Sequence, residues 1–165
     1  LLDSRKECSI TASGINVPIK STPGVHKIAN SEWLFGCSVW KYESISDLRF
    51  PKNFIGQSLF EDVIFSIRAS RRGKLSVSTE IEIVNEQSLI SRPSNKEFYR
   101  MWVSNRFEVI REIKGNLLNY LAYHWTNLGK LTFLLLKIIL NPKRNTESII
   151  GFVYGYFDIF QKIRE

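Results

Sequence analysis

The chain contains two adjacent acids, Glu61 and Asp62, in the segment Ser58-Leu59-Phe60-Glu61-Asp62. A carboxylate can take a proton from a reacting group. In the first turn of a helix it also has a structural explanation, because it accepts hydrogen bonds from free N–H groups and interacts favourably with the helix dipole. That explanation accounts for Glu61. Asp62 is not needed for a cap and adds like-charge repulsion, although the two residues alone still favour a structural role.

The acid pair opens a segment with the pattern of a helix. Ser58 and Glu61 have the S-x-x-E spacing of a capping box, and apolar residues recur at helical spacing after them. The pattern predicts that this helix ends at Gly73. The recurring apolar residues are Leu59, Val63 and Ile67, and the basic residues that precede the glycine are Arg68, Arg71 and Arg72.

Two segments flanking this helix are predicted to be strands. Residues Trp33 to Trp40 are dense in strand-favouring types and indicate a buried strand. Gly36 interrupts it, either to admit a close backbone or ligand approach or to form a packing bulge. Behind the helix, apolar and polar residues alternate strictly. Leu75, Val77, Thr79, Ile81 and Ile83 share one face.

The sequence after Pro93 is predicted to be helical. Ser94 and Glu97 form a second capping box, which opens a helix that continues to about Ile113. Three further helical stretches are expected, with the first two separated near Gly129. They are Leu117 to Trp125, Leu128 to Leu140, and a last helix that Thr146 caps and that runs to Ile163.

Composition describes an ordinary globular protein with a basic surface. The 165 residues are 44% hydrophobic and 24% charged, with a formal charge of +7 and a pI near 9.5. This charge favours an anionic partner but does not choose between nucleotide phosphates, nucleic acid and acidic lipid.

Cys8 and Cys37, without a secretory leader, indicate a reducing, cytoplasmic location. The apolar window Leu131 to Leu140 is too short to span a membrane by itself, and the start at Leu1 indicates an internal segment of a longer product.

These motifs together resemble the acceptor half of family 2 glycosyltransferases of the GT-A type. The resemblance rests on the run from Trp33 to Ser38, a Phe50 to Phe54 stretch, Glu61-Asp62 opening a helix, and the glycine and strand behind it. The segment from Tyr99 to Phe107, with Asn105-Arg106, is similar to the helix that follows the core in members that build envelope polysaccharides. The resemblance extends over residues 10–107.

The resemblance implies roles for several residues. Asp62 would be the general base that deprotonates the acceptor hydroxyl, in a single displacement that inverts the anomeric centre. Glu61 would position the acceptor or its helix, and Gly36 would form the floor of the acceptor site. Trp33 and Trp40 are candidates for stacking on a sugar face, although core packing is favoured for at least one of them. Arg68, two helical turns from Asp62, is expected to brace the helix.

The chain also departs from the family pattern. The Asp-x-Asp motif that holds a divalent ion, Mg or Mn, on the donor diphosphate belongs to the earlier half of the family, and it does not occur in this chain. Asn85-Glu86 stands where many relatives have a histidine. The resemblance therefore implies a nucleotide-sugar donor and a metal bound mainly outside this chain. Alone, the segment is expected to be inactive.

The expected fold is α/β, with a partial GT-A (Rossmann-like) sheet-and-helix region in residues 1–92 and an all-helical extension in residues 93–165. The expected function is transfer of a sugar to a glycan or lipid-linked acceptor. Alternatives are a structural or oligomer-forming domain and a basic module that binds membrane or nucleic acid, although no nucleic-acid motif is present. In the helical extension, apolar clusters interleave with Lys130, Lys137, Lys143 and Arg144. This pattern fits a helical core or a peripheral helix on the inner face of the cell membrane.

Overall fold

The computed structural model describes residues 7–20, 26–35, 37–52, 54, 56, 59–80 and 93–164. Within these ranges the chain forms a small sheet and five helices. None of these helices combines the length and apolarity that a bilayer crossing requires. The elements in chain order are β1 (Ile28–Ser31), α1 (Tyr42–Ile45), α2 (Glu61–Ser70), β2 (Leu75–Ser78), α3 (Asn95–Glu112), α4 (Leu117–Lys137) and α5 (Pro142–Arg164).

The sheet is a two-stranded antiparallel pair. Ile28 lies opposite Ser78 and Ser31 lies opposite Leu75. A mixture of helix and strand followed by a helical tail is confirmed, but a Rossmann-like region is not, because the described strands form no parallel pairing. The predicted second strand is confirmed over Leu75–Ser78, with Leu75 buried and Ser76 exposed. Its continuation through Ile81 and Ile83 lies outside the described residues.

The predicted strand from Trp33 to Trp40 is wrong for the residues that are described. β1 ends before it, at Ser31, and the Leu34 N–H instead donates to the Ser66 hydroxyl of α2 at 2.9 Å. Val39, one of the residues that favoured a strand, is 98% exposed. Strand propensity reflects packing on a pleated surface, and here a helix side chain takes the place of a neighbouring strand.

The helical prediction is most accurate for α3. The Ser94 hydroxyl accepts from the Glu97 N–H, and the Glu97 carboxylate accepts from the Ser94 N–H, so both halves of the capping box are present. In contrast, the predicted break near Gly129 is wrong, because α4 runs without interruption through it. A single glycine destabilises a helix by only about 1 kcal/mol. Packing of the helical residues before and after it can offset this loss.

The last helix begins earlier than predicted. It starts at Pro142 rather than after Thr146, since proline suits the first turn of a helix, where its missing N–H is not needed. The Asn145 N–H donates to the Asn141 carbonyl at 3.2 Å and closes the first turn. Further along, Gly151 and Gly155 let the α5 backbone approach α3 closely.

Two apolar clusters hold these elements together. The larger one lies between α3, α4 and α5 and includes Val103, Tyr123 and Phe152. The smaller one surrounds α2 and includes Val63 and Ile64. Two partly buried side chains, Trp102 and Ile113, pack against both clusters. Helix α3 therefore connects the helical tail to the segment that carries the acid pair.

Candidate functional site

The acid pair lies in the first turn of α2, but the cap differs from the predicted one. The residue that precedes the helix is Phe60, with φ 75° and no side-chain capping bond. The Ser58–Glu61 capping box is therefore not the cap of α2, and Ser58 itself lies outside the described residues. The left-handed backbone at Phe60 starts the helix directly at Glu61. The Phe60 carbonyl accepts from the Ile64 N–H at 3.2 Å.

Phe60 is unusual because a bulky side chain rarely adopts a positive φ. Such a residue costs of order 1–3 kcal/mol and persists where its surroundings enforce it. Here the Phe60 side chain is buried, and its ring centroid lies 5.6 Å from that of Trp102 on α3. The amide of Asn105, also on α3, donates to the Leu59 carbonyl at 3.1 Å. Helix α3 thus fixes the turn that presents the acid pair.

Asp62 is a partly buried carboxylate at this turn. Its Oδ1 accepts from the Val63 N–H at 2.8 Å. Burial raises the pKa of Asp62 above its ordinary value, and the neighbouring charge of Glu61 acts in the same direction. Hydrogen bonds from the N–H groups of Val63 and of Asp62 itself oppose this shift but do not cancel it. A carboxylate with a raised pKa holds a proton more readily and is a better base.

The other predicted site residues have different surroundings. Glu61 adjoins Asp62 and is partly exposed. Gly36 lies outside the described residues, so its place relative to the acids stays a prediction. Trp33 is 3% exposed, and its indole N–H donates to the Val17 carbonyl at 3.1 Å. Because the ring is packed in the smaller apolar cluster, the alternative role in the core describes Trp33 better than stacking on a sugar.

Arg68 braces its helix, as expected. Its guanidinium contacts the Glu112 carboxylate on α3, with Nη2 to Oε2 at 2.9 Å, and Arg71 contacts the same carboxylate at 2.9 Å. These residues line a basic cleft of about 540 Å³ between α2 and α3, where Arg111 also meets Glu108. Arg68 and Arg71, two of the four arginines that line the cleft, therefore hold the two helices together.

A buried cation on α3 was not predicted as a structural element. Arg106 is 1% exposed and hydrogen-bonds to Thr126 and Asn127 on α4. Its guanidinium carbon lies 4.9 Å from the ring centroids of Trp102 and Tyr123. Burial lowers the pKa of Arg106 to about 10. In the sequence, Asn105-Arg106 stands out only as a polar pair within an apolar helix pattern. That pattern does not reveal that Asn105 faces the Leu59 carbonyl whereas Arg106 faces α4.

A metal site requires several suitable side chains close together. Among the residues that the structure describes, no group of three or more His, Cys, Asp and Glu side chains lies close enough to hold an ion. His124 instead pairs with the Tyr156 hydroxyl at 3.2 Å.

Comparisons of the chain with protein-family models, curated proteins and solved structures found no match.

Proposed function

We propose that this chain is the acceptor-side part of an inverting glycosyltransferase that uses a nucleotide-sugar donor. The observation that carries the proposal is Asp62: a partly buried carboxylate, with its pKa raised by burial, at a helix start set by a left-handed Phe60. The acceptor is a glycan or a lipid-linked sugar of the cell envelope. This substrate class comes from the resemblance to family 2 glycosyltransferases.

The proposed reaction is a single displacement. The acceptor hydroxyl oxygen forms a bond to the anomeric carbon, while the bond from that carbon to the nucleoside diphosphate oxygen breaks. The proton of the hydroxyl passes to the Asp62 carboxylate, and the diphosphate leaves with the bonding electron pair. Attack from the face opposite the leaving group inverts the anomeric centre.

Three features support Asp62 as the base. A positioned base contributes about 10²–10⁴-fold to such a reaction, and its efficiency increases as its pKa approaches the working pH. The direction of the shift at Asp62 is therefore favourable. The buried Phe60 ring and the hydrogen bond from Asn105 to the Leu59 carbonyl hold the turn in its strained conformation. Backbone strain maintained by neighbouring contacts is common at functional sites.

Glu61 is assigned to positioning the acceptor. Its side chain is partly exposed beside Asp62 at the start of α2. The donor and its divalent ion, Mg or Mn, would bind mainly outside this chain, so the segment alone is expected to be inactive. Trp33 is not included in the proposed site because its ring is buried.

The test uses the protein with its donor-binding half. Release of nucleoside diphosphate is measured with a panel of nucleotide sugars in the presence of glycan and lipid-linked acceptors. We expect Asp62→Asn to lower kcat by about 10²–10⁴-fold with little change in the KM for the donor. The amide keeps the shape of the side chain and can still accept from the Val63 N–H, so folding should be retained.

Glu97→Gln provides a matched control. Glu97 is also an acid in the first turn of a helix, but its role there is the α3 capping box. This variant should keep near-normal turnover. If Asp62→Asn also kept near-normal turnover while a donor was being consumed, Asp62 would not be the base. If no nucleotide sugar were consumed by the native protein with any acceptor, the proposed enzyme class would be wrong.

A further inference from the structure

The basic cleft between α2 and α3 concentrates positive charge. Among the described residues, six basic and two acidic side chains line it, which is an excess of four positive charges. The whole chain has an excess of seven, so this one cleft carries charge equal to more than half of it. The basic residues are Arg49, Lys52, Arg68, Arg71, Arg111 and Lys114. We call this site the α2–α3 cleft.

The two acids of the α2–α3 cleft are more buried than the cations around them. The side chains of Glu108 and Glu112 are 17% and 15% exposed. Those of Arg71 and Arg111 are 49% and 51% exposed. The Glu112 carboxylate is shared by Arg68 and Arg71, with both contacts at 2.9 Å. Two cations on one carboxylate leave one positive charge uncompensated, next to solvent.

Three further cations of the α2–α3 cleft have no carboxylate partner among the described residues. Lys52 and Lys114 are exposed and form no ion pair there. The Arg49 guanidinium donates to two backbone carbonyls of its own loop, at 2.9 and 2.8 Å. Asp47, two residues earlier, is paired with Arg72 instead. A carbonyl does not neutralise a charge, so these three cations are available to an anion.

Basic residues near helix C-termini also have a structural explanation. The ends of α2 and α3 lie at this cleft, since Arg71 directly follows α2 and Lys114 closely follows α3. Each helix end carries roughly half a negative charge, which nearby cations stabilise, so the two ends account for about one of the excess charges. An excess of about three remains after this correction. Holding the helix ends does not explain it.

The size and walls of the α2–α3 cleft suit a small organic anion. Its volume of about 540 Å³ falls in the range of about 300–1,000 Å³ that is typical of small-ligand pockets. Phe50, Phe54 and Ile64 form an apolar wall beside the cations. The Phe50 ring is stacked on Phe65, with 4.4 Å between the centroids, which supports this wall. The cleft can therefore contact charged groups and an apolar body at the same time.

Phosphate groups match this charge better than a carboxylate does. A terminal phosphate carries about 1.5–2 negative charges and an inner one about one, so a diphosphate or triphosphate balances the excess charge of the cleft. Guanidinium groups bind phosphate oxygens through paired N–H donors, and lysines add compact point charges. We propose that the α2–α3 cleft binds the phosphate groups of an organic diphosphate or triphosphate, whose organic part lies against Phe50.

The α2–α3 cleft is a different site from the acid pair. Successive residues of a helix are rotated by about 100°, so Asp62 lies on nearly the opposite side of α2 from Ile64, which lines the cleft. Arg68 and Arg71 lie towards the end of that helix, away from its first turn. The inference therefore does not rest on the proposed sugar transfer, and binding can be measured without a sugar acceptor.

The test is isothermal titration calorimetry of the chain at low salt with inorganic phosphate, pyrophosphate and adenosine diphosphate. We expect pyrophosphate to bind at least about tenfold more tightly than phosphate, because more cations contact it. Adenosine diphosphate should bind at least as tightly as pyrophosphate, and added salt should weaken both. No binding of either diphosphate at low salt would overturn the proposal. If pyrophosphate bound and adenosine diphosphate did not, the organic ligand would be wrong.

A double variant, Lys52→Gln and Lys114→Gln, tests the location of the site. These lysines have no ion-pair partner among the described residues, so the fold should be retained, which far-UV circular dichroism would verify. The affinity for both diphosphates should fall by at least about tenfold. The matched control, Lys41→Gln and Lys143→Gln, removes the same charge at exposed positions outside the cleft and should bind normally. Equal losses in the two double variants would overturn the proposal, because the charge of the whole chain would then hold the anion.

A single-stranded oligonucleotide tests the other source of phosphate groups. We expect it to bind no more tightly than adenosine diphosphate at moderate salt, because the cleft has room for only a small ligand. If the oligonucleotide bound tightly, adenosine diphosphate did not, and the Lys52 and Lys114 variant lost that binding, the partner would be nucleic acid and the proposal would be wrong.

Discussion

The close contact between α3 and α5 makes Gly151 a sensitive position. A Cβ added there would lie 2.0 Å from the Lys96 carbonyl oxygen and 2.7 Å from its carbon. Both are backbone atoms, which cannot rotate away as a side chain can. The distance to the oxygen would have to grow from 2.0 Å to an ordinary contact of 3.4 Å or more, so α5 must move relative to α3.

We therefore expect Gly151→Ala to destabilise the protein. Overpacking costs about 1–3 kcal/mol, and a backbone clash of this size belongs at the upper end of that range. The higher helix propensity of alanine offsets about 1 kcal/mol of this loss of stability. The expected net loss in the free energy of unfolding is about 2 kcal/mol, or roughly 4–8 °C in Tm for a chain of this size.

Gly129→Ala is the matched control. This glycine is also inside a helix, but an added Cβ would meet nothing within 4 Å. Only the helix propensity changes, so the variant should be more stable than the native protein by about 1 kcal/mol. Gly155→Ala should fall on the destabilising side, because its Cβ would lie 2.6 Å from Val103 Cβ and 2.8 Å from the Arg100 carbonyl oxygen.

The measurement is urea unfolding followed by far-UV circular dichroism, with linear extrapolation of the free energy. The same chemical change should thus have opposite signs at Gly151 and Gly129, separated by about 3 kcal/mol. A Gly151→Ala variant as stable as the native chain would refute the close packing of α5 on α3. A loss of stability in Gly129→Ala would refute the open surroundings of that residue.

Three further predictions use the same measurement. The pKa of Asp62 is raised in the folded state, so the stability that its protonated form contributes should be lost as pH rises through that pKa. As the pH rises through that pKa, the native chain should therefore lose stability relative to Asp62→Asn. A constant difference between the two would contradict the buried carboxylate. Asp158→Asn should lower the free energy of unfolding by about 1–3 kcal/mol, because it disrupts the bidentate pair with Arg100, in which both contacts are 2.7 Å. An unchanged stability would show that solvent replaces the pair. Ser94→Ala should cost about 1 kcal/mol through loss of the α3 cap, and a change below a few tenths would show that the cap contributes little.

The helical tail was largely predictable because its signals are local. Ser94 and Glu97 mark the start of α3, and both form the predicted hydrogen bonds. The errors occurred where a local signal competed with packing. Gly129 does not break α4, and Pro142, rather than Thr146, marks the start of α5. Glycine and proline both weaken isolated helices. Here the glycine is tolerated in the middle of α4, and the proline is favoured because it lies in the first turn of α5.

The first half was less predictable because its contacts are between distant residues. Leu34 pairs with Ser66 of α2 instead of a neighbouring strand, and nothing near Leu34 in the sequence indicates this. Likewise, the S-x-x-E spacing at Ser58 and Glu61 predicted a cap, but the helix begins after a left-handed Phe60. The buried ring of Phe60 is held by α3, some forty residues away along the chain.

The sequence by itself determined the position of the acid pair at the start of a helix, the helical character of the tail and its excess of positive charge. These properties follow from residue types and spacings within a few turns. Only the tertiary structure decided that Asp62 is partly buried, that Asn105 reaches the Leu59 carbonyl and that Trp33 is in the core. It also decided which side of α4 is left uncovered. Burial and exposure are set by which elements pack together, and that packing is absent from any local pattern.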